Sequence, residues 1–199
     1  MIENNVTLSL DDYILELVEE FSEVLKNNMK KRLKCFAEQQ VQLEGWLKGE
    51  LLFFLENKKI NFYREKCIDD NSRKKIDLLI ESKNRKAYIE LKYGLIGEQG
   101  NQKYKVNFYF YKSSIENDLK KLYAVEEGKK KIERYMLFLF VEKSQRIESV
   151  IKNFNSRGVK LNFLEEKKKN PKEAKLKVLN KFFDKTEEDL FSLVLMKLV

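Results

Sequence analysis

The chain has 199 residues, 43% of them apolar, with 40 lysines and arginines, 32 aspartates and glutamates, and no histidine. Without histidine, the sequence excludes histidine general bases, serine–histidine and cysteine–histidine nucleophiles, and histidine-ligated zinc or iron. Any catalysis must use carboxylates, lysine, tyrosine or a bound metal, and the formal charge of +8 favours a polyanionic partner such as nucleic acid.

Cysteine usage and hydropathy favour a cytoplasmic protein. Cys35 and Cys67 have no Cys-x-x-Cys spacing, which indicates neither a disulfide framework nor a zinc knuckle. No apolar run approaches the ~20 residues of a membrane span, and the first residues lack the basic and apolar segments of a secretory signal. We therefore expect no membrane partner.

The N-terminal part of the chain predicts two helices. The first covers about residues 9–34, with Ser9 and Asp12 as a capping box and apolar residues at helical spacing. Residues 1–25 hold seven acids and no lysine or arginine, so this helix is mostly acidic. We expect its apolar stripe to pack on its own domain, and a homodimer formed through this helix stays open as the alternative. The second helix covers about residues 40–56.

Three strands are predicted next, as an antiparallel meander at residues 60–66, 75–81 and 86–93. The aromatic stretch 105–111 predicts either a short strand or the packed end of a loop. Ser113 and Glu116 resemble a capping box that begins another helix. The apolar side of that helix carries Ile115, Leu119, Leu122 and Val125.

The C-terminal half predicts further alternation of strands and helices. Residues 134–141 are apolar without alternation, as expected of a central strand covered on both faces. A helix at 145–156 and an alternating strand at 159–164 are predicted to follow, with helices after Pro171 and after Thr186. The order of these elements indicates an α/β fold, with a central mixed β-sheet flanked by helices.

The predicted organisation is one domain with two helical extensions. An acidic helical extension at residues 1–39 precedes an α/β core at residues 40–165, and a C-terminal helical extension covers residues 166–199. A chain of this length most simply buries a single core.

Three charged residues, Asp77, Glu90 and Lys92, lie in segments that otherwise resemble buried strands. Side chains alternate between the two faces of a strand, so Glu90 and Lys92 share a face. A turn centred between Lys83 and Asn84 places Asp77 directly opposite Glu90. Opposed carboxylates ~5 Å apart repel each other unless a positive charge lies between them, and Mg²⁺, which prefers carboxylate oxygens, fits that position.

Glu50 is a further unexpected charge, in the second predicted helix. On a helical wheel it lies near the centre of the apolar stripe and faces the sheet, whereas Glu44 lies toward the edge of the stripe and is the weaker candidate. Glu65, in the first strand, is interpreted as an exposed strand acid. The apolar stripe consists of Leu43, Trp46, Leu47 and Phe54.

A purely structural interpretation of these charges stays open. Glu50 could form a buried ion pair with Lys92, and Asp77 could be a charge that protects an edge strand from aggregation. The combination of all four charges in the order helix, strand, strand favours a functional site.

The segments "ID" at 76–77, "ELK" at 90–92 and "WLKGELLFFL" at 46–55 resemble the PD-(D/E)XK nuclease superfamily, whose fold is restriction-endonuclease-like. The resemblance covers about residues 40–165 and implies a core with the order α-β-β-β-α-β. Ile76 stands where the family often has proline. The resemblance implies Mg²⁺-dependent hydrolysis of phosphodiester bonds through an Mg²⁺-activated water, with DNA as the expected partner and Mn²⁺ expected to substitute for Mg²⁺.

The resemblance also implies residue roles. Asp77 and Glu90 would be metal ligands, and Lys92 would orient the attacking water. Glu50 would be an auxiliary metal ligand or a general acid/base, so that all four residues are expected to be catalytic. Two alternatives stay open: a catalytically inactive nuclease fold that binds nucleic acid, and an interaction protein in which the charges form an internal ion-pair cluster.

Overall fold

The computed structural model of the chain describes residues 9–38, 43–68, 73–82, 85–96, 108–125, 131–142, 176–183 and 191–198. In this part of the chain, six strands form one open mixed sheet with helices on both faces, which confirms the predicted α/β class. The elements are α1 (Leu10–Glu38), α2 (Glu44–Asn57), β1 (Phe62–Cys67), β2 (Lys75–Ser82), β3 (Arg85–Ile96), α3 (Phe108–Ala124), β4 (Lys131–Glu142), β5 (Leu176–Phe183) and β6 (Phe191–Leu198).

The strands lie in the order β1-β2-β3-β4-β6-β5. The first three form the predicted antiparallel meander, and β4 pairs with β3 in parallel. Parallel neighbours need a long connection that crosses one face of the sheet, and α3 lies in this connection. Strand β6 then pairs antiparallel with β4, and β5 forms an edge beyond it.

Helices α1 and α2 cover one face of the sheet. The Ser9 hydroxyl accepts a hydrogen bond from the Asp12 N–H at 3.1 Å, so the predicted N-cap of α1 is confirmed. The acidic helix buries its apolar stripe in its own chain, in the same core as α2 and alternate residues of the strands. The buried stripe of α1 consists of Leu10, Ile14, Leu17, Val18, Phe21 and Leu25.

Helix α3 lies on the opposite face, and its predicted apolar side is confirmed, since Ile115, Leu119, Leu122 and Val125 are all buried. The helix begins at Phe108, so the predicted cap at Ser113 and the predicted strand or loop over residues 108–111 are wrong. Aromatic residues favour strands intrinsically, but local propensity is a weak preference that packing overrides. The remainder of that stretch, residues 105–107, lies outside the described residues.

The C-terminal helices predicted after Pro171 and Thr186 are wrong where the structure describes this region, because residues 176–183 and 191–198 are strands. Four consecutive residues of β6, at 193–196, are buried, so both faces of the strand are covered and the sequence shows no alternation. A short apolar run of this kind cannot be distinguished from a buried helix by periodicity. In β5, a register shift between Val178 and Asn180 interrupts the alternation.

Other predictions cannot be compared with the structure. The helix at 145–156, the strand at 159–164 and the domain boundaries near residues 39 and 165 lie outside the described residues. Helix α1 and strand β6 nevertheless contribute to one core with the central strands. None of the helices in the described ranges is long and apolar enough to cross a membrane.

An ion-pair cluster joins the start of α1 to the sheet. The Asp11 carboxylate accepts a hydrogen bond of 2.5 Å from the Tyr135 hydroxyl and one of 2.8 Å from Lys197 Nζ. Lys197 Nζ also lies 2.7 Å from a Glu133 oxygen. Tyr135 is fully buried, so its hydroxyl needs this acceptor in place of water.

We expect the substitution Asp11→Ala to lower the free energy of unfolding by about 1–3 kcal/mol, because it leaves a buried hydroxyl without its acceptor. Urea unfolding followed by circular dichroism measures the change. Glu16→Ala is the matched control, since Glu16 is an exposed acid of the same helix, and it should change stability by less than about 0.5 kcal/mol. Equal effects of the two substitutions would show that the contacts of Asp11 with Tyr135 and Lys197 do not stabilise the fold.

Candidate active site

The sheet opens between β2 and β3, and the candidate site lies at this fork. The two strands pair from Ser82 and Arg85 to Leu78 and Ile89. Beyond this point β2 continues beside β1, while β3 continues beside β4. Here the Asp77 carboxylate accepts a hydrogen bond of 3.0 Å from the backbone N–H of Leu91, so a side chain bridges the strands where ladder pairing stops.

The register confirms the predicted arrangement of the hairpin. Leu78 pairs with Ile89, so the next residues, Asp77 and Glu90, face each other across the fork. The two carboxyl groups are close enough for each to shift the pKa of the other. Asp77 lies on an interior strand, between β1 and β3, so the interpretation of Asp77 as an edge-strand charge is wrong.

Burial and the neighbouring acids favour the protonated form of Glu90. Glu90 is 1% exposed, and burial, the hydrogen bond to Asp77 and the charges of Asp77 and Asp118 raise its pKa to about 9. Burial alone would raise the pKa of Asp77, but hydrogen bonds from Glu90, the Leu91 N–H and Lys48 outweigh burial and lower it. At neutral pH the pair therefore consists of a protonated Glu90 that donates to an ionised Asp77.

Helix α3 brings two charged residues over Glu90. Lys121 Nζ lies 2.7 Å from Glu90 Oε1 and 2.6 Å from Asp118 Oδ1, and Asp118 is itself 6% exposed. Neither Asp118 nor Lys121 was predicted as a site residue. The apolar stripe of this helix contained the signal, because Asp118 lies between Leu122 and Val125 on the helical wheel.

Lys92 points to the same side of the sheet as Glu90 and is held by a neighbouring acid. Its Nζ lies 2.6 Å from Asp118 Oδ2 and 3.6 Å from Glu44 Oε2. Burial lowers the pKa of Lys92, but the bond to Asp118 and the charges of Asp118, Glu44 and Glu90 outweigh burial and raise it. Lys92 is therefore an ammonium, and it pairs with Asp118 rather than with Glu50 as the structural interpretation predicted.

Helix α2 reaches the fork with Lys48, a residue that the sequence did not single out. Lys48 Nζ lies 3.1 Å from Asp77 Oδ1 and 3.2 Å from Glu65 Oε1. Lys48 follows Glu44 by four residues, so the two share one side of the helix. This side faces the site and explains why Glu44, the weaker of the two predicted acids, contacts Lys92.

Glu50 lies on another side of α2. The buried stripe of the helix runs through Leu47, Leu51, Phe54 and Leu55, which puts Glu50 at its edge and not at the predicted centre. At about 100° per residue, Glu50 lies roughly 160° around the helix from Lys48. The side chain is half-buried, and no ion pair or hydrogen bond joins it to another described residue. The structure thus brings together Asp77, Glu90 and Lys92, but not Glu50.

Glu65 is exposed, as predicted, but it contacts the site. The pairs Arg64–Leu78 and Lys66–Ile76 place Glu65 across β1 and β2 from Asp77. Its backbone has φ of 51°, a left-handed conformation that is uncommon for a residue other than glycine. Hydrogen bonding to Lys48 and the charges of Lys48 and Lys75 lower the pKa of Glu65, so it remains ionised beside the fork.

The oxygens at the fork suit a hard divalent cation. Among the described residues there is no group of three or more histidine, cysteine, aspartate or glutamate side chains arranged to hold a metal. Mg²⁺ commonly uses only one or two carboxylates, with water and substrate phosphate as its other ligands. Glu90 Oε1 is buried and accepts no well-directed hydrogen bond from the described residues, although the Lys121 ammonium lies beside it. Asp77 and Glu90 therefore fit such a cation.

Comparisons with known proteins do not identify the chain: no protein-family model, curated protein or solved structure matches it.

We expect Glu90→Gln to stabilise the metal-free protein above pH 5. The pKa of Glu90 is raised from 4.5 to about 9 in the folded state, so the folded protein holds an extra proton between these values and wild-type stability falls as pH rises. Glutamine is neutral at every pH and can still donate to Asp77. The gain should be near zero at pH 4.5 and up to about 3 kcal/mol at pH 7.

Urea unfolding with chelator, at pH values from 4.5 to 8.5, measures this gain. Asp77→Asn is the matched control, because it removes the ionised acceptor of the Leu91 N–H and Lys48 bonds and should be destabilising at pH 7. A Glu90→Gln protein that is less stable than wild type at pH 8 would show that Glu90 is ionised and stabilising there.

Proposed function

We propose that the protein is a metal-dependent nuclease that hydrolyses phosphodiester bonds in DNA. One observation carries the proposal: Asp77 and Glu90 oppose each other at the opening between β2 and β3, with the Lys92 ammonium on the same side of the sheet. Burying two acids against each other is costly, so a fold retains them where a cation is to be bound.

The order of elements supports a PD-(D/E)XK nuclease core. Helix α2, the antiparallel strands β1, β2 and β3, the crossover helix α3 and the parallel strand β4 follow one another as α-β-β-β-α-β. This is the order that the sequence resemblance implied. The acids at 77 and 90 and the lysine at 92 occupy the motif positions within it.

The side chains of Asp77 and Glu90 would hold the divalent cation. A bound Mg²⁺ or Mn²⁺ supplies Lewis acidity and lowers the pKa of a coordinated water. Holding the cation would require an ionised Glu90, and the cation would compete with Lys48 for Asp77.

Lys92 is suited to act on the phosphate as a cation. Asp118, with its oxygen 2.6 Å away, keeps the Lys92 side chain charged. An ammonium held in this way stabilises negative charge that develops on a phosphate in the transition state. The same contact disfavours a neutral Lys92 that would accept a proton from water.

The overall charge of the chain supports a nucleic-acid substrate, and its free cysteines support a cytoplasmic location. A formal charge of +8 attracts a polyanion such as DNA over several ångströms. Both cysteines are free thiols, Cys35 on the surface and Cys67 partly buried. Free thiols are typical of a reducing compartment, so we place the nuclease in the cytoplasm.

A second candidate function is an interaction protein whose charges form a structural ion-pair network. The observation that favours it is that each charged group at the fork already contacts an opposite charge, as Asp77 does with Lys48 and Asp118 with Lys92. Such a network predicts no dependence on metal. The burial of Glu90 opposite Asp77 argues against it, because a purely structural network gains nothing from two adjacent acids.

We expect the wild-type protein to cleave DNA in Mg²⁺ or Mn²⁺ and not in chelator, and Asp77→Asn to lower the rate by at least about 10³-fold, because it removes a ligand of the cation. The assay compares duplex, single-stranded and branched DNA with RNA. Glu81→Gln is the matched control, since Glu81 lies on the same strand as Asp77 but pairs with Lys86 at the far end of the hairpin.

Cleavage by wild type and Glu81→Gln, but not by Asp77→Asn, would establish the nuclease. Nucleic-acid binding by both wild type and Asp77→Asn without any cleavage would favour the inactive binding fold. Neither cleavage nor binding would favour the ion-pair network, which also requires that Lys92→Met lower stability.

The two acids of α2 can be compared directly. We expect Glu44→Gln to lower cleavage by roughly tenfold, because Glu44 contacts Lys92. Glu50→Gln should change it by less than about threefold, because Glu50 lies on another side of the helix. Initial rates of the two variants at saturating Mg²⁺ measure this difference. A large loss in Glu50→Gln alone would restore the role that the sequence predicted for Glu50.

A further inference from the structure

The Lys121 ammonium lies between two buried carboxylates from different elements. Its Nζ is 2.7 Å from Glu90 Oε1 on β3 and 2.6 Å from Asp118 Oδ1 on α3. The only other contact recorded for it within the described residues is a long one, 3.5 Å, to the Lys75 carbonyl oxygen. A positive charge thus lies within ion-pair distance of both acids.

The two carboxylates have acceptor capacity that the lysines do not satisfy. Glu90 Oε1 and Asp118 Oδ2 are buried, and neither receives a well-directed hydrogen bond from the described residues. Both lie within 2.7 Å of an ammonium nitrogen, so the contacts are charge contacts of poor direction. Buried acceptors of this kind are rare, and a divalent cation is a ligand that both carboxylates could accept.

The lysine is the movable member of this group. Glu90 is fixed on a central strand and Asp118 on the packed side of α3, and both are more than nine-tenths buried. Lys121 reaches them from the helix with a side chain that is 24% exposed. A four-carbon stem with an exposed portion can turn its ammonium into water at modest cost.

We propose that Glu90 and Asp118 form a cation position that Lys121 holds when no metal is bound, and that a divalent cation binds there by displacing Lys121. The proposal rests on the proposed nuclease function in that Glu90 is shared with Asp77. It adds Asp118 as a metal ligand and Lys121 as an internal competitor. Cation binding is consequently weaker than two buried carboxylates would otherwise give, and it releases the Lys121 ammonium from them.

The experiment measures Mn²⁺ binding to the full chain without nucleic acid, from the loss of the free-ion signal in electron paramagnetic resonance. We expect Lys121→Met to bind Mn²⁺ at least about tenfold more tightly than wild type, because the competing charge is gone. Asp118→Asn should bind at least about tenfold more weakly, because a ligand is lost.

Two further variants test whether the positive charge at position 121 is what competes with Mn²⁺. Lys121→Arg keeps the positive charge and should bind Mn²⁺ within about threefold of wild type. Lys86→Gln removes a lysine that pairs with Glu81 at the other end of the hairpin, 3.0 Å away, and should leave the affinity unchanged within about twofold. Circular dichroism and thermal unfolding establish that each variant is folded.

Several outcomes would overturn the inference. These are equal affinities of Lys121→Met and wild type, an unchanged affinity of Asp118→Asn, or no Mn²⁺ binding by any variant at millimolar concentration. Loss of binding in Asp77→Asn but not in Asp118→Asn would place the cation at the Asp77 side alone. Because no substrate is present, a protein that binds Mn²⁺ as expected yet cleaves nothing would contradict the nuclease and leave the cation position established.

Discussion

The hydrogen bond from the Leu91 N–H to the Asp77 carboxylate is the contact on which the site depends. It replaces ladder pairing at the point where β2 and β3 separate, so it fixes the opening and also the direction of Asp77. The separation gives α2 and α3 access to the same gap from opposite faces of the sheet. At this gap Lys48 of α2 contacts Asp77, and Lys121 of α3 contacts Glu90.

The free-energy cost of burying acids explains why lysines lie beside them at the fork. Glu90 and Asp118 are buried on elements whose other faces are needed for the core, so neither can turn toward water. The protein offsets their charge in two ways, with a proton held by Glu90 and with the ammonium groups of Lys92 and Lys121. Both compensations are exchangeable, because a proton can leave and a lysine can move. A network that served stability alone would be better made from apolar residues of similar volume.

The sequence predicted those features that follow from local periodicity. The alternation of residues along the strands predicted the antiparallel meander. A short turn then predicted the register in which Asp77 faces Glu90, and the pairing of Leu78 with Ile89 confirms it. Prediction from periodicity failed where both faces of an element are covered, as in β6, because a buried strand and a buried helix then have the same apolar pattern. Glu50 was misplaced because the predicted stripe of α2 included Trp46 and left out Leu51 and Leu55, whereas the buried stripe is centred near Leu51.

Contacts between distant elements set the limit of prediction for the site. Asp118 and Lys121 follow Glu90 after more than twenty residues, and only the crossover of α3 brings them to it. Yet the rule that a charge within an apolar stripe marks a site applied to Asp118 as well as to Glu50. The structure distinguishes the two cases by partners, since Asp118 contacts Lys92 and Lys121 while Glu50 contacts no charged group in the described chain. A charge in a stripe is therefore informative only when the facing strand carries a partner for it.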